Sequence, residues 1–162
     1  MTLTFHNTLL AYLLSLRDYS QSLTPEEKKN FQEFAKQFRT YTDRLEYSEI
    51  ETFLRDSLIE KIAGNTQLNQ LFKIYQNKLA NSGEIPSEIL PKLENLIQLE
   101  TSLQNNFIRI RKGDIPDIED DTTPEGQELI LHNAVILISE SQQPENIPDQ
   151  ITWIDKLKQW LN

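Results

Sequence analysis

The stretch "TPEEKKNFQEFAKQFRTYTDRL", residues 24–45, decides the fold because it combines a helix start with the most regular helical pattern in the chain. Thr24 is placed to cap a helix, Pro25 to occupy its first position and Glu27 to complete a capping box. Apolar residues then follow at intervals of three and four, namely Phe31, Phe34, Ala35, Phe38, Tyr41 and Leu45. This spacing predicts a helix with one apolar face, whose lysines and arginines point to water.

Helical patterns of the same kind fill most of residues 3–105. The first helix is expected from about Leu3 to Tyr19, with an apolar stripe wide enough for contact on more than one side. That stripe consists of Phe5, Leu9, Leu10, Tyr12, Leu13, Leu14 and Leu16. Three further helices are expected to begin at Ser48 (with Glu51 as its capping-box partner), at Asn65 or Thr66, and at Ser87.

Each of these later helices has an apolar stripe of its own. The stripes are Ile50, Phe53, Leu54, Leu58 and Ile62; then Leu68, Leu71, Phe72, Tyr75 and Leu79; then Ile89, Leu93, Leu96, Ile97 and Leu103. Gly64 suits a left-handed position after the third helix, and Pro91 falls near the first turn of the fifth. Short links predict antiparallel neighbours, so residues 3–105 are interpreted as five core helices.

Residues 106–123 interrupt the helical pattern. "FIRIR" places Phe107, Arg109 and Arg111 on one face of an extended segment, so a minor two-stranded element near 107–111 stays open. The acidic residues that follow do not reproduce a calcium-loop pattern. We interpret 106–123 as a solvated crossover and keep Arg109 and Arg111 as candidate partner-binding residues.

Residues 128–139, "ELILHNAVILIS", fit either a helix or a hairpin that turns at His132 and Asn133. A start signal in Thr123 and Pro124, together with the length of the segment, favours a helix over 124–139. That helix is apolar on nearly all sides and is therefore expected at the centre of the molecule. His132 is expected to be a hydrogen-bonded core or edge histidine.

The C-terminal segment "DQITWIDKLKQWLN" predicts an amphipathic helix over residues 149–161. It contains both tryptophans of the chain, and tryptophan is enriched among the residues that dominate binding energies. Trp153, Leu157 and Trp160 are therefore candidate partner-binding residues. Packing of this helix on its own bundle is the alternative explanation for its apolar face.

Composition excludes several function classes. A formal net charge of −9 opposes direct binding of nucleic acid, and the absence of cysteine excludes disulfides, thiolate catalysis and cysteine-ligated metals. The four glycines lie far apart, so the sequence has no phosphate-binding loop. The apolar stretch near the N-terminus is too short to span a bilayer. We assign no catalytic, cofactor-binding or metal-binding residue and expect no cofactor.

These observations predict an all-α fold: a compact antiparallel bundle of about seven helices forming one domain over residues 1–162. The expected function is a non-catalytic protein–protein interaction module in the cytoplasm, acting as an adaptor, assembly factor or regulatory subunit. Self-association stays open. The alternatives are a small-molecule or lipid carrier, or an enzyme, with an inter-helix pocket lined by Phe31, Phe34, Phe38, Phe53 and Phe72. A further alternative is an acidic inhibitor that mimics nucleic acid.

Overall fold

The computed structural model of the chain describes residues 5–42, 47–86, 88–104, 124–141, 144–148 and 151–162. Its helices are α1 Phe5–Asp18, α2 Pro25–Thr42, α3 Tyr47–Ala63, α4 Thr66–Ser82, α5 Leu93–Gln104, α6 Pro124–Glu140 and α7 Thr152–Leu161, with a 3₁₀ turn at Pro144–Asn146. The predicted all-α fold of about seven helices is thereby confirmed. The extended segment near 107–111 and the acidic residues 114–121 lie outside the described residues.

Two helix starts form as their sequences predict. At the start of α2, the Thr24 amide donates to Glu27 Oε1 (2.8 Å), and the Glu27 amide donates to Thr24 Oγ1 (3.1 Å), which completes the capping box. At the start of α4, Asn65 Oδ1 accepts from the Leu68 amide at 3.1 Å. The Asn65 side-chain amide also donates to the Tyr19 hydroxyl (2.9 Å), so this cap ties α4 to the segment after α1.

Three boundary details differ from the prediction. Helix α3 begins at Tyr47, so Ser48 lies inside its first turn rather than before it. Gly64 does not adopt the left-handed backbone, whereas Gly83 after α4 does, with φ of 77°. Helix α5 begins at Leu93, after Pro91, because the residue that precedes a proline is disfavoured in helical conformation. Asn95 Oδ1 accepts from the Lys92 amide at 2.8 Å at this later start.

Helix α1 lies at the centre of the molecule. It contacts α3, α4, α6, α7 and the 3₁₀ turn, and all of residues 8–16 are buried. The prediction that its wide stripe is contacted on more than one side is therefore confirmed. Its buried hydroxyl groups are hydrogen-bonded: Ser15 Oγ donates to the Tyr12 carbonyl (2.7 Å), and the Tyr12 hydroxyl pairs with Ser139 Oγ (2.9 Å).

Helix α6 is the second central element, which confirms the helical interpretation of residues 128–139 and excludes the hairpin. Between residues 130 and 139 only Asn133 is less than fully buried. Helix α6 packs against α1, α2 and α5, and a forked ion pair joins it to α2: Arg39 Nε lies 3.0 Å from Glu140 Oε1, and Nη2 lies 2.7 Å from Oε2. One hydrophobic cluster includes side chains from all seven helices.

Two residues assigned to apolar stripes lie at the surface. Phe53 and Ile97 are each 50% exposed. In α3 the buried contact is a narrow seam of Leu54, Leu58 and Ile62, and Phe53 falls about 100° around the helix from Leu54. Phe53 therefore lies at the edge of this contact, with half of its side chain exposed to solvent. Over the described part of the chain, no helix combines the length and the apolar character needed to cross a membrane.

Candidate functional site

Helix α7 is attached to the bundle through its apolar face. Trp153, Ile154 and Leu157 are buried, and the helix contacts α1 and α4. Ile151 precedes the helix and provides no side-chain cap, so packing rather than capping stabilises its start. Two of the candidate partner-binding residues, Trp153 and Leu157, thus lie in the protein's own core.

A charged network fixes the position of α7. Asp18, at the end of α1, accepts hydrogen bonds from Arg17 Nη1 (3.1 Å), from Lys158 Nζ (2.8 Å) and from the Tyr75 hydroxyl. Arg17 also donates to Asp155 on α7. These contacts join α1, α4 and α7 through groups that are themselves partly buried, which makes them stronger than fully exposed ion pairs.

The same contacts determine the ionisation of the network. Burial raises the pKa of Asp18, but the hydrogen bonds from Lys158 and Tyr75 outweigh burial and bring that pKa below its ordinary value. Burial, followed by the hydrogen bond to Asp18, raises the pKa of Tyr75. Burial alone would lower the pKa of Arg17, yet Asp155 and Asp18 raise it. Near neutral pH Asp18 is therefore a carboxylate, Arg17 a guanidinium and Tyr75 a neutral phenol.

Beyond this network, the ends of α4 and α7 form an open surface groove of about 530 Å³. The groove is lined by Asn77, Lys78, Asn81, Ser82, Trp160 and Leu161. Trp160 and Leu161 pack partly against the hydrophobic cluster and remain partly exposed. Ile74, which is 50% exposed, precedes Lys78 by one helical turn and continues the same face of α4. The groove therefore joins amide and hydroxyl groups to an incompletely buried indole.

Two side chains of the groove are hydrogen-bonded to the backbone of α4. Asn81 Nδ2 donates one hydrogen bond to the Asn77 carbonyl at 2.9 Å, which leaves its second N–H and its Oδ1 outside that bond. Ser82 Oγ donates to the Leu79 carbonyl at 2.9 Å and lies 3.3 Å from the Gly83 carbonyl. Because carbonyl oxygens only accept, these orientations are fixed by chemistry.

The remaining ionisable side chains of interest lie inside the bundle. The His132 ring is 5.6 Å from Phe5 and 5.0 Å from Phe38, and burial followed by the charge of His6 lowers the pKa of His132 to about 4. Burial also raises the pKa of Tyr12. Glu145 is buried with Oε1 at 3.9 Å from Lys28 Nζ. Within the described ranges, no three potential metal ligands come together.

Of the five candidate partner-binding residues, Trp160 lines the groove, whereas Trp153 and Leu157 are buried in the core. Arg109 and Arg111 lie outside the described residues. Sequence analysis missed the groove residues of α4, namely Asn77, Lys78, Asn81 and Ser82. Polar residues at helical spacing are typical of any solvated helix face, so their pattern carried no signal. These residues differ from other polar residues of α4 only in lying beside the end of α7.

Resemblance to known proteins adds nothing to this geometry. Comparison with protein-family models, with curated proteins and with solved structures found no match to the chain. The candidate site is therefore defined by the contacts, burial and charges of its own residues.

Proposed function

We propose that the chain is a non-catalytic protein–protein interaction module that docks its partner in the groove between α4 and α7. The proposal rests on the apolar face of α7, one part of which is buried in the core while the other part is partly exposed. Trp153, Ile154 and Leu157 anchor the helix in the core, whereas Trp160 and Leu161 stay partly exposed beside a groove. A partly exposed tryptophan that lines a groove is typical of the residues that dominate binding energies.

The hydrogen bonds that position α7 support this proposal. The hydrogen bonds of Asp18 to Lys158 and Tyr75 hold α7 against α1 and α4 in the free protein. A docking surface that is ordered before binding loses less conformational entropy when the partner arrives. The exposed side chains of Asn77 and Asn81 leave the groove open along α4, which favours a protein segment over an enclosed small molecule. The proposal includes the cytoplasm as the compartment, to which a cysteine-free chain is suited.

Site-directed crosslinking tests the proposal directly. A photoreactive amino acid at Asn81 should crosslink a protein in extracts of the source cell, and the same group at the exposed Thr101 of α5 should not. Crosslinking from Asn81 should be lost in Trp160→Ala and retained in Ile97→Ala, which removes exposed apolar surface outside the groove. Equal crosslinking from both positions, or crosslinking that survives Trp160→Ala, would contradict the proposal.

Trp160 is partly packed against the core, so Trp160→Ala could disturb folding as well as binding. A second variant separates the two effects. Asn77→Arg places a long side chain in the groove without altering a buried contact, since Asn77 is exposed. This variant should block capture of the partner while its thermal unfolding curve stays that of the wild type. If the crosslinked protein is a second copy of the chain, the partner in the groove is the protein itself.

A further inference from the structure

We propose that the groove between α4 and α7 binds an acidic segment of the partner, whose carboxylates pair with Lys78 and Lys156 while an apolar side chain packs on Trp160. This inference rests on the proposed function, because it names the chemistry of the partner at the same site. It depends on two features: the distribution of charge over the two helices, and the hydrogen-bond donors that the groove presents.

Helices α4 and α7 carry positive charge in a chain whose formal net charge is −9. Together they contain one acidic residue, Asp155, and four lysines, namely Lys73, Lys78, Lys156 and Lys158. Asp155 accepts a hydrogen bond from Arg17 of α1, so a residue outside the two helices already balances its charge. Lys158 is bonded to Asp18. The other three lysines lie beyond ion-pair distance of every carboxylate in the described part of the chain.

Two of these lysines lie at the groove. Lys78 lines it, and its ammonium uses one of three N–H donors on Asn162 Oδ1. Lys156 is exposed and precedes Trp160 by four residues, which makes the two side chains neighbours on one face of α7. A segment that lies along the groove therefore meets a lysine from each helix and the indole ring that separates them from bulk solvent on neither side.

The other side chains of the groove add donors to these positive charges. Asn77 is exposed, and Asn81 keeps one N–H beyond its bond to the Asn77 carbonyl. The indole N–H of Trp160 can only donate. An ionised carboxylate only accepts, and its hydrogen bonds to ammonium groups are about twice as strong as those between neutral groups. The amides would serve a neutral ligand equally well, so the lysines are what favours a carboxylate.

Three effects oppose an acidic ligand, and each is weaker than the lysines. Helices α4 and α7 end at Ser82 and Leu161, but each end is equivalent to only about half a negative charge, which fades within one turn. Lys78 and Lys156 supply two full positive charges. Glu84 follows α4 by two residues but does not line the groove. The net charge of the whole chain is screened over ~8 Å at physiological ionic strength, so it opposes binding less than nearby lysines favour it.

The test titrates capped pentapeptides into the folded, ¹⁵N-labelled chain. Each peptide has a central leucine that is flanked on both sides by pairs of glutamate, glutamine or lysine. The glutamate peptide should bind most tightly and shift the signals of the Trp160 indole N–H and of the amides of residues 77–82. The glutamine peptide should bind less tightly and the lysine peptide least. Added salt should weaken binding of the glutamate peptide alone, because salt screens ion pairs between exposed groups.

Three charge-removing variants locate the effect. Lys78→Gln and Lys156→Gln should each weaken binding of the glutamate peptide by about two- to fivefold, the range expected for one exposed ion pair. Lys73→Gln is the matched control, because Lys73 is exposed on α4, lies about 140° around the helix from Lys78 and does not line the groove. This control should leave binding unchanged. Asn77→Arg adds positive charge as well as bulk, so it does not test this chemistry.

The outcomes separate this inference from the proposed function. Preference for the glutamate peptide, together with weaker binding after Lys78→Gln, supports it. Equal binding of the three peptides, preference for the lysine peptide, unchanged binding in both groove variants, or absence of any shift would each overturn the acidic segment. Tighter binding of a short oligothymidine than of the glutamate peptide would also overturn it, since the ligand would then be a polyphosphate. None of these results alters the crosslinking test from Asn81, whose failure would instead remove the interaction surface itself.

Discussion

Acidification from pH 7 to pH 5 should destabilise the fold through His132. Its side chain is buried between Phe5 and Phe38 in the centre of the bundle, and burial, followed by the charge of His6, lowers its pKa to about 4. An imidazole in the unfolded chain titrates near 6.5. Between these two values the unfolded state binds the proton more readily than the folded state, so the free energy of unfolding decreases as the pH falls.

The size of the effect follows from the difference between the two pKa values. About 2.5 pH units correspond to roughly 3 kcal/mol once the pH is well below both values, and about 2 kcal/mol is already lost between pH 7 and pH 5. This loss is a large share of the ~5–15 kcal/mol by which domains of this size are stable. Asp18 does not contribute in this window, because its lowered pKa places its loss of stability below pH 4.

Urea unfolding monitored by circular dichroism at pH 7.0, 6.0 and 5.0 measures the effect. His132→Phe should remove most of the pH dependence of the free energy of unfolding in this range and leave the part that His6 contributes, whatever constant packing cost the larger ring adds. His6→Gln is the matched control, and it should retain most of the dependence, because the pKa of His6 is lowered by burial alone and to a smaller extent. Parallel pH dependence in the wild type and in His132→Phe would refute the reasoning.

Three further predictions concern stability. Thr24→Ala should lower the free energy of unfolding by about 1 kcal/mol, since it breaks one hydrogen bond of the capping box, and urea unfolding at pH 7 would show the loss. Asp18→Asn should cost about 1–3 kcal/mol and speed amide hydrogen exchange in α7 more than in α6; uniform exchange across both helices would contradict the network's role. Arg39→Lys should cost about 1 kcal/mol or less, because it replaces the fork on Glu140 with a single contact at a partly exposed site, and the loss should shrink in 1 M salt.

The helices of this chain could be predicted from sequence because their signals are local. The capping box at Thr24 and the wide stripe of α1 each involve residues within a few turns of one another, and both form as expected. The surface positions of Phe53 and Ile97 could not be predicted. They depend on how wide a strip of each helix a neighbouring helix covers, and that width is not encoded locally in the sequence. The late start of α5 followed from Pro91, whose effect on the preceding residue outweighed the start signal at Ser87.

The candidate site was predictable only in part. The amphipathic pattern singled out Trp160, Trp153 and Leu157 together, since all three share one helix face. Which of them is buried depends on where α7 meets α1 and α4, and that meeting point is set by ion pairs between residues about 140 positions apart. A single sequence gives no indication of such distant pairs, so the α4 side of the groove stayed hidden among ordinary polar residues.

The central position of α1 has a consequence for how the chain folds in the cell. Its Tyr12 hydroxyl meets Ser139, which lies 127 residues further along the chain. At synthesis rates of ~5–20 residues per second, the ribosome adds Ser139 roughly 6 to 25 s after it adds Tyr12. During that interval the most apolar helix of the N-terminal half has no α6 to cover it. Nascent chains stalled before residue 130 should therefore bind a general chaperone, and release should follow once α6 has left the exit tunnel.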